Sequence, residues 1–400
     1  MPAVIFRKGL NLKDAVSGAL SEDYHSALVD EMIKTEFRRV TGRLTIHLAR
    51  EFGFCYGVDR AVDYAYQTRA RFPERTVYLT GEIIHNPHVN QKLRSAGIRF
   101  LSDPETKDEE LGPASVIILP AFGVRVEDLL IYDRLGCTIV DTTCGSVLNV
   151  WKNVTQYAQH GFTALIHGKV HHEETQATAS QALRYPGGRY LIVLDRKEAS
   201  AVCNYIRHGG DHHEFMTRFH HAASPNFDPT KDLQRIGLAN QTTMLMTESL
   251  AIGELLREAM SDRYGKEMLT AHYRAFDTIC SATQDRQDAV NELLTDRQLD
   301  LMLVVGGYNS SNTRNLAKIC DKQLPTFHIA DADELVSRTT IRHRPITTSL
   351  ESSETMTGSD WLPSQGPLSV GLTAGASTPN NIVGQVVDRL ERFTAEPGKT

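Results

Sequence analysis

Glu51-Phe-Gly-Phe-Cys-Tyr-Gly-Val-Asp-Arg60 lies between a β-branched run, Leu44-Thr-Ile-His-Leu48, and a stripe of Val58, Ala61, Val62 and Ala65. The run predicts a strand, and the stripe has the i, i+3, i+4, i+7 spacing of one helical face. Gly53 and Gly57 permit a tight turn on either side of Cys55. Cys55 therefore sits where a strand ends and a helix begins, where the helix dipole and unbonded N–H groups favour a thiolate. Cys144 closes Thr138-Ile-Val-Asp-Thr-Thr-Cys ahead of Val147, Leu148, Trp151 and Val154. Cys280 closes Phe276-Asp-Thr-Ile-Cys ahead of Ala289, Val290, Leu293 and Leu294. Asp141 to Cys144 and Asp277 to Cys280 share Asp-Thr-x-Cys, a repeated strand-to-helix unit. Cysteine is also a common buried residue, but three at strand ends point to a shared site.

Outward from these points, short apolar runs alternate with helical stripes, the pattern of α/β units with mainly parallel strands. Strands are expected at 44–48, 76–79, 116–119, 138–140, 164–166, 190–194, 236–239, 301–305, 326–329 and 369–372. Polar or glycine-rich loops follow several of them: Gly81-Glu-Ile-Ile-His85-Asn, Pro120-Ala-Phe-Gly-Val, His167 to Thr175, Asn240-Gln-Thr-Thr243, Gly306 to Asn312 and Thr373 to Pro379. In open parallel sheets ligands bind beyond the carboxyl ends of strands. The expected fold class is α/β, three similar α/β units with mainly parallel sheets around one central pocket. The units are 44–144, 145–277 and 278–390, after an N-terminal extension, 1–43, and before a tail, 391–400. Leu20, Leu28, Met32 and Ile33 suggest one amphipathic helix in the extension. The second unit carries an irregular insertion at about 204–233, and the third a surface loop at about 338–365. Five histidines of that insertion (His208, His212, His213, His220 and His221) lack ordered ligand spacing and read as solvated surface.

A chain of 400 residues with net charge −6 has a sizeable core and no basic footprint for nucleic acid. No apolar run reaches membrane-spanning length. The N-terminus reads as neither a signal nor a transit peptide, so the cytoplasm is the expected location. Six cysteines far apart in a reducing compartment suit metal or catalytic use better than disulfides.

No CxxC pair is present, so a closed structural zinc site is not indicated. Three thiolates from separate units suit an iron–sulfur cluster with one iron lacking a protein ligand, open to a substrate oxygen. Cys137, Cys203 and Cys320 fall within a strand start and helical patterns and read as packing. His85, Asn86, His172, Thr242, Thr243, Ser310, Ser311, Asn312 and Ser377 offer donors that cradle a phosphate or diphosphate without lysine. Each alone is a weak signal, since a Ser or Thr after a strand is more often an N-cap. Glu174 beside His172 is a proton donor if burial raises its pKa, or, like Glu173, a first-turn acid on a helix dipole.

Seven segments carry a resemblance: Gly53-Phe-Cys-Tyr-Gly-Val-Asp-Arg-Ala61, Glu82-Ile-Ile-His-Asn86, Asp141-Thr-Thr-Cys144, His172-Glu-Glu-Thr175, Gln241-Thr-Thr243, Asn309-Ser-Ser-Asn312 and Thr373-Ala-Gly-Ala-Ser-Thr-Pro379. In this order they resemble the 4-hydroxy-3-methylbut-2-enyl diphosphate reductases of the non-mevalonate isoprenoid pathway, in their longer, cyanobacterial and plant-type branch. The resemblance implies that Cys55, Cys144 and Cys280 hold a [4Fe–4S] cluster at the centre of the three units. His85, His172, Ser310, Ser311, Asn312 and Ser377 would grip the diphosphate. Glu174 would relay a proton and Thr242 would orient the substrate. Isopentenyl and dimethylallyl diphosphate would be the products, and ferredoxin, or alternatively flavodoxin, the electron donor. Two positions depart from the pattern. Phe122 stands where many shorter bacterial members carry a histidine, although the longer branch also tends to carry phenylalanine there, and Gly145 stands where the family usually has a proline after Cys144. An iron–sulfur sensor or binding protein without turnover is the alternative, as is a zinc protein with a further ligand.

Overall fold

Every run read as a strand is one, often within a residue of the expected ends: Leu44–Leu48, Val77–Leu79, Val116–Leu119, Thr138–Asp141, Thr163–His167, Tyr190–Val193, Ile236–Asn240, Leu301–Val305, Thr326–Ile329 and Leu368–Ala374. The structure is a computed structural model describing residues 4–106, 110–276, 278–346 and 354–395. Asp277, part of the repeated motif, and residues 347–353 of the 338–365 loop lie outside the described residues, as does the end of the expected tail. Contacts divide the chain into two units: Met1–Arg7, Tyr78–Gly81 and Leu101–Cys280 form one, and Lys8–Val77, Glu82–Phe100 and Ser281–Thr400 the other.

The first unit holds two parallel sheets. In one, Thr138–Asp141 lies between Ile5–Phe6 and Val116–Leu119, and Thr80 N–H bonds Ile118 C=O at 3.3 Å. In the other the order is Tyr273–Ala275, Ile236–Asn240, Thr163–His167, Tyr190–Val193, all parallel. The second unit holds the third sheet, Thr326–Ile329, Leu301–Val305, Leu368–Ala374, Leu44–Leu48 and Arg38–Thr41, with only the last antiparallel. Val116–Leu119, Thr163–His167 and Leu301–Val305 are buried along their whole length. That is why Val116–Leu119 and Leu301–Val305 read as unbroken apolar runs: helices cover both faces of a parallel sheet.

Three stretches differ from expectation. The extension forms two helices, Lys13–Tyr24 and Ala27–Lys34, separated at His25 and Ser26, because Ser26 caps the second by accepting from Val29 N–H. Met32 is fully buried and Ile33 exposed, so the two do not share a face. The insertion is helical, not irregular: Asp211 caps His212–Phe219 and Asp228 caps Pro229–Asp232. Phe215, Phe219 and Phe227 bury into the core against Cys203 and Tyr205. Within 338–365, Thr340–His343 pairs antiparallel with Met356–Ser359, and Trp361 and Leu362 are buried. Polar composition hid these anchors. Cys137, Cys203 and Cys320 are buried packing residues, as read, and burial pushes the thiols of Cys203 and Cys320 up to about 11 and about 12.

Two buried histidines predict an acid limit to stability. Burial lowers His167 to about 4 and His328 to about 3. Unfolded, both would take a proton near pH 6.5, so between pH 6.5 and 4 the unfolded chain binds more protons and the fold loses stability as pH falls. From pH 7 to 5.5 the loss is about 2 kcal/mol for the two together. Urea unfolding of the apo chain at the two values checks it; an unchanged midpoint would mean that both imidazoles titrate in the folded state.

Candidate active site

Each cysteine read as a ligand directly precedes a helix. Cys55 precedes Tyr56–Arg71, Cys144 precedes Gly145–Gln159, and Cys280 precedes Ser281–Asp296. All three are half-buried, unlike the other three, and no disulfide joins any of the six. Their backbones are held in one way. Cys144 N–H bonds Ala121 C=O at 2.8 Å, Cys280 N–H bonds Thr242 C=O at 3.3 Å, and Cys55 N–H bonds Ala376 C=O at 3.2 Å. Each acceptor lies two residues past the end of a strand: Leu119, Asn240 and Ala374. The residues before the cysteines reach the same strand ends. Thr142 Oγ1 donates to Leu119 C=O at 2.6 Å, Thr278 Oγ1 accepts from Asn240 N–H at 2.7 Å, and Gly53 N–H bonds Ala374 C=O at 3.3 Å. Asp141 adds acceptors for Thr143 N–H (3.1 Å) and Thr143 Oγ1 (2.6 Å). The threonine of Asp-Thr-x-Cys thus ties the cysteine turn to a neighbouring strand. Gly145 begins its helix where a Cβ would meet nothing within 4 Å.

In the first unit Glu174 is 3% exposed and accepts twice from Thr242, from N–H to Oε1 at 2.6 Å and from Oγ1 to Oε2 at 3.0 Å. His172 is the N-cap of Glu173–Ala182, and its Nδ1 accepts from Glu174 N–H at 3.1 Å. The ring proton is therefore on Nε2, which can donate outward. Phe122 packs edge-on to His172, with ring centroids 6.1 Å apart. Gln241, given no role from sequence, accepts from Lys169 N–H (3.1 Å) and Thr175 Oγ1 (3.2 Å) and donates to Thr243 Oγ1 (2.9 Å). It joins the His172 loop to the Thr242 loop.

The second unit gathers the remaining residues. Ser310 caps Ser311–Cys320 by accepting from Thr313 N–H. Asn312 Oδ1 accepts from Ala376 N–H at 2.9 Å, while its buried Nδ2 makes no hydrogen bond among the described residues. Ser377 Oγ donates to His85 C=O at 3.2 Å. Ser310, Ser311, Asn312 and Ser377 are all buried. Glu82, also missed, accepts from Asn309 Nδ2 at 3.0 Å and sits 2.9 Å from His85 Nδ1. It holds the His85 ring proton on Nδ1, and protonating Nε2 would add a second donor. Asn86 caps the following helix by accepting from His88 and Val89 N–H. Gly307 must be glycine, since a Cβ there would lie 2.4 Å from His85 C=O. A helix start with an unused buried amide suits an anion.

The sequence profile of the LytB protein family matches residues 46–391. The chain belongs to this family. It is 46% identical over 389 residues, 96% of this chain and 94% of the relative, to a protein of Synechococcus sp. (strain PCC 6301) named 4-hydroxy-3-methylbut-2-enyl diphosphate reductase. A Gloeobacter violaceus relative of the same name is 48% identical over 392 residues, 96% of this chain and 91% of the relative. A solved structure described as (E)-4-hydroxy-3-methyl-but-2-enyl diphosphate reductase, the terminal enzyme of the non-mevalonate pathway, is 27% identical. It matches 87% of this chain and 99% of its own with a TM-score of 0.51. The corresponding Plasmodium falciparum structure, 21% identical over 88% of each chain with a TM-score of 0.61, shares the fold. The LytB family is thus carried by an α/β chain with three mainly parallel sheets. Among its described residues no helix is long and apolar enough to cross a membrane.

Proposed function

We propose that this chain reduces 4-hydroxy-3-methylbut-2-enyl diphosphate to isopentenyl and dimethylallyl diphosphate. The observation that carries the reading is the thrice-repeated cysteine at a helix start, half-buried and tied to a strand-end carbonyl. Its donor set fits a [4Fe–4S] cluster: three soft thiols at helix starts, and no fourth cysteine in a comparable setting. Cys55, Cys144 and Cys280 would hold it. When bound, the cluster supplies two electrons in single steps and an open Lewis-acid position for the substrate hydroxyl. The same repeat supports three α/β units at about 44–144, 145–277 and 278–390.

His85, His172, Ser310, Ser311, Asn312 and Ser377 bind the diphosphate through ring N–H, hydroxyl, amide and helix-start N–H donors. Thr242 Oγ1, held by Glu174, keeps lone pairs with which to orient the substrate hydroxyl. Glu174 carries a proton toward that hydroxyl. Two electrons and two protons enter, the allylic C–O bond breaks, water leaves, and a C–H bond forms at one of two allyl carbons. Ferredoxin, or alternatively flavodoxin, supplies the electrons in the cytoplasm.

The test is protein purified without oxygen. About four iron and four sulfide per chain, with viologen-dependent conversion of the allylic diphosphate to both products, is the expected result. A cluster without turnover would leave a redox sensor. Zinc instead of iron would remove the reductase mechanism.

A further inference from the structure

Arg286, six residues after Cys280, is 3% exposed on the helix Ser281–Asp296. Its Nη1 donates to Ala282 C=O at 2.8 Å and its Nη2 to Gly53 C=O at 2.7 Å, with Phe52 C=O at 3.5 Å. Its Nε is buried without a hydrogen bond among the described residues. Among the described residues no carboxylate forms an ion pair with it, so a full positive charge is held on carbonyl oxygens alone. Burying a charge without a counter-charge is costly, and carbonyl groups only partly offset it. The loop it grips is closely packed: Gly53 has φ +69°, and a Cβ there would lie 2.8 Å from Asn380 Oδ1. Cys55 is two residues further on.

We propose that Arg286 is the counter-charge of the thiolate-bound group at Cys55. It is a positioning residue that fixes the Phe52–Gly53 carbonyls and eases uptake of an electron by that group. The proposal rests on the reading of Cys55 as a cluster ligand. One electron from a low-potential donor adds one negative charge to the cluster; no bond forms or breaks, and Arg286 keeps its protons. A nearby positive charge stabilises the reduced form and raises its midpoint potential.

The experiment is a dithionite redox titration, followed by electron paramagnetic resonance, of anaerobic holoprotein for wild type, Arg286→Lys and Arg286→Met. The Met variant is expected to hold iron as wild type does but to shift its midpoint negative, while the Lys variant stays near wild type. Equal midpoints in all three overturn the proposal. So does an equal shift in both variants, which would make Arg286 a brace for the loop. Should Arg286→Met take up no iron, Arg286→Lys decides: wild-type iron with an unmoved midpoint supports the counter-charge, and loss of iron there too overturns it. Wild-type protein without iron and sulfide would overturn the cluster reading itself, a failure visible before any variant is compared.

Discussion

Cys55→Ser is expected to lose iron, sulfide and turnover together, with reductase activity down by at least about 10³-fold. Lewis-acid polarisation at a metal is worth several kcal/mol, and several kcal/mol is about that factor in rate. The substitution is mild for the fold. Cys55 occupies the N-cap position with extended backbone (φ −86°, ψ 164°) and no side-chain capping bond. Serine is a better N-cap than most residues, so the apo chain should melt no lower than wild type. Cys203→Ser provides the contrast. Cys203 is 1% exposed in an apolar cluster, and a hydroxyl there costs roughly 1–3 kcal/mol of stability, yet iron content and turnover should stay. The measurement is iron, sulfide and viologen-coupled rate on both variants beside a thermal melt. Equal activity in the two would remove Cys55 from the ligand set.

The second large effect is at Glu174. Glu174→Gln is expected to keep iron and the fold while turnover falls about 10²–10⁴-fold, the usual contribution of a positioned acid or base. Glutamine has the same length, and its oxygen can still accept from Thr242 N–H. Thr242 Oγ1 can turn to accept from the new amide. The stability cost should be about 1 kcal/mol, the difference between a charge-assisted and a neutral hydrogen bond. Single-turnover rates with pre-reduced protein separate proton delivery from electron supply. Full activity in the glutamine variant would take proton transfer away from Glu174 and leave it as the anchor of Thr242.

Much of this was legible in the chain because it is local. The run Leu301–Val305 is apolar on both faces, and so is its place between two parallel neighbours. Cys55 and Cys144 were read at helix starts from a strand pattern giving way to a helical stripe, and both are N-caps. The extension and insertion were less legible. A single serine, Ser26, divides one amphipathic run into two helices, and three phenylalanines anchor a stretch whose histidines suggested open surface.

By itself the sequence determined the α/β class, the strands, the family, and which three of six cysteines differ from the rest. The family rests on the resemblance of seven motifs in order along the chain; the rest depends on periodicity and spacing within ten or fifteen residues. The tertiary structure alone decided which groups meet across long stretches of chain. It paired Cys55 N–H with Ala376 C=O, Glu174 with Thr242, Glu82 with Asn309 and Arg286 with Gly53 C=O. It also set the proton positions on His172 and His85 through Glu174 N–H and Glu82. A hydrogen bond is directional and reaches about 3 Å. Only the register of the sheets, fixed by burial over the whole chain, brings such distant atoms within that range.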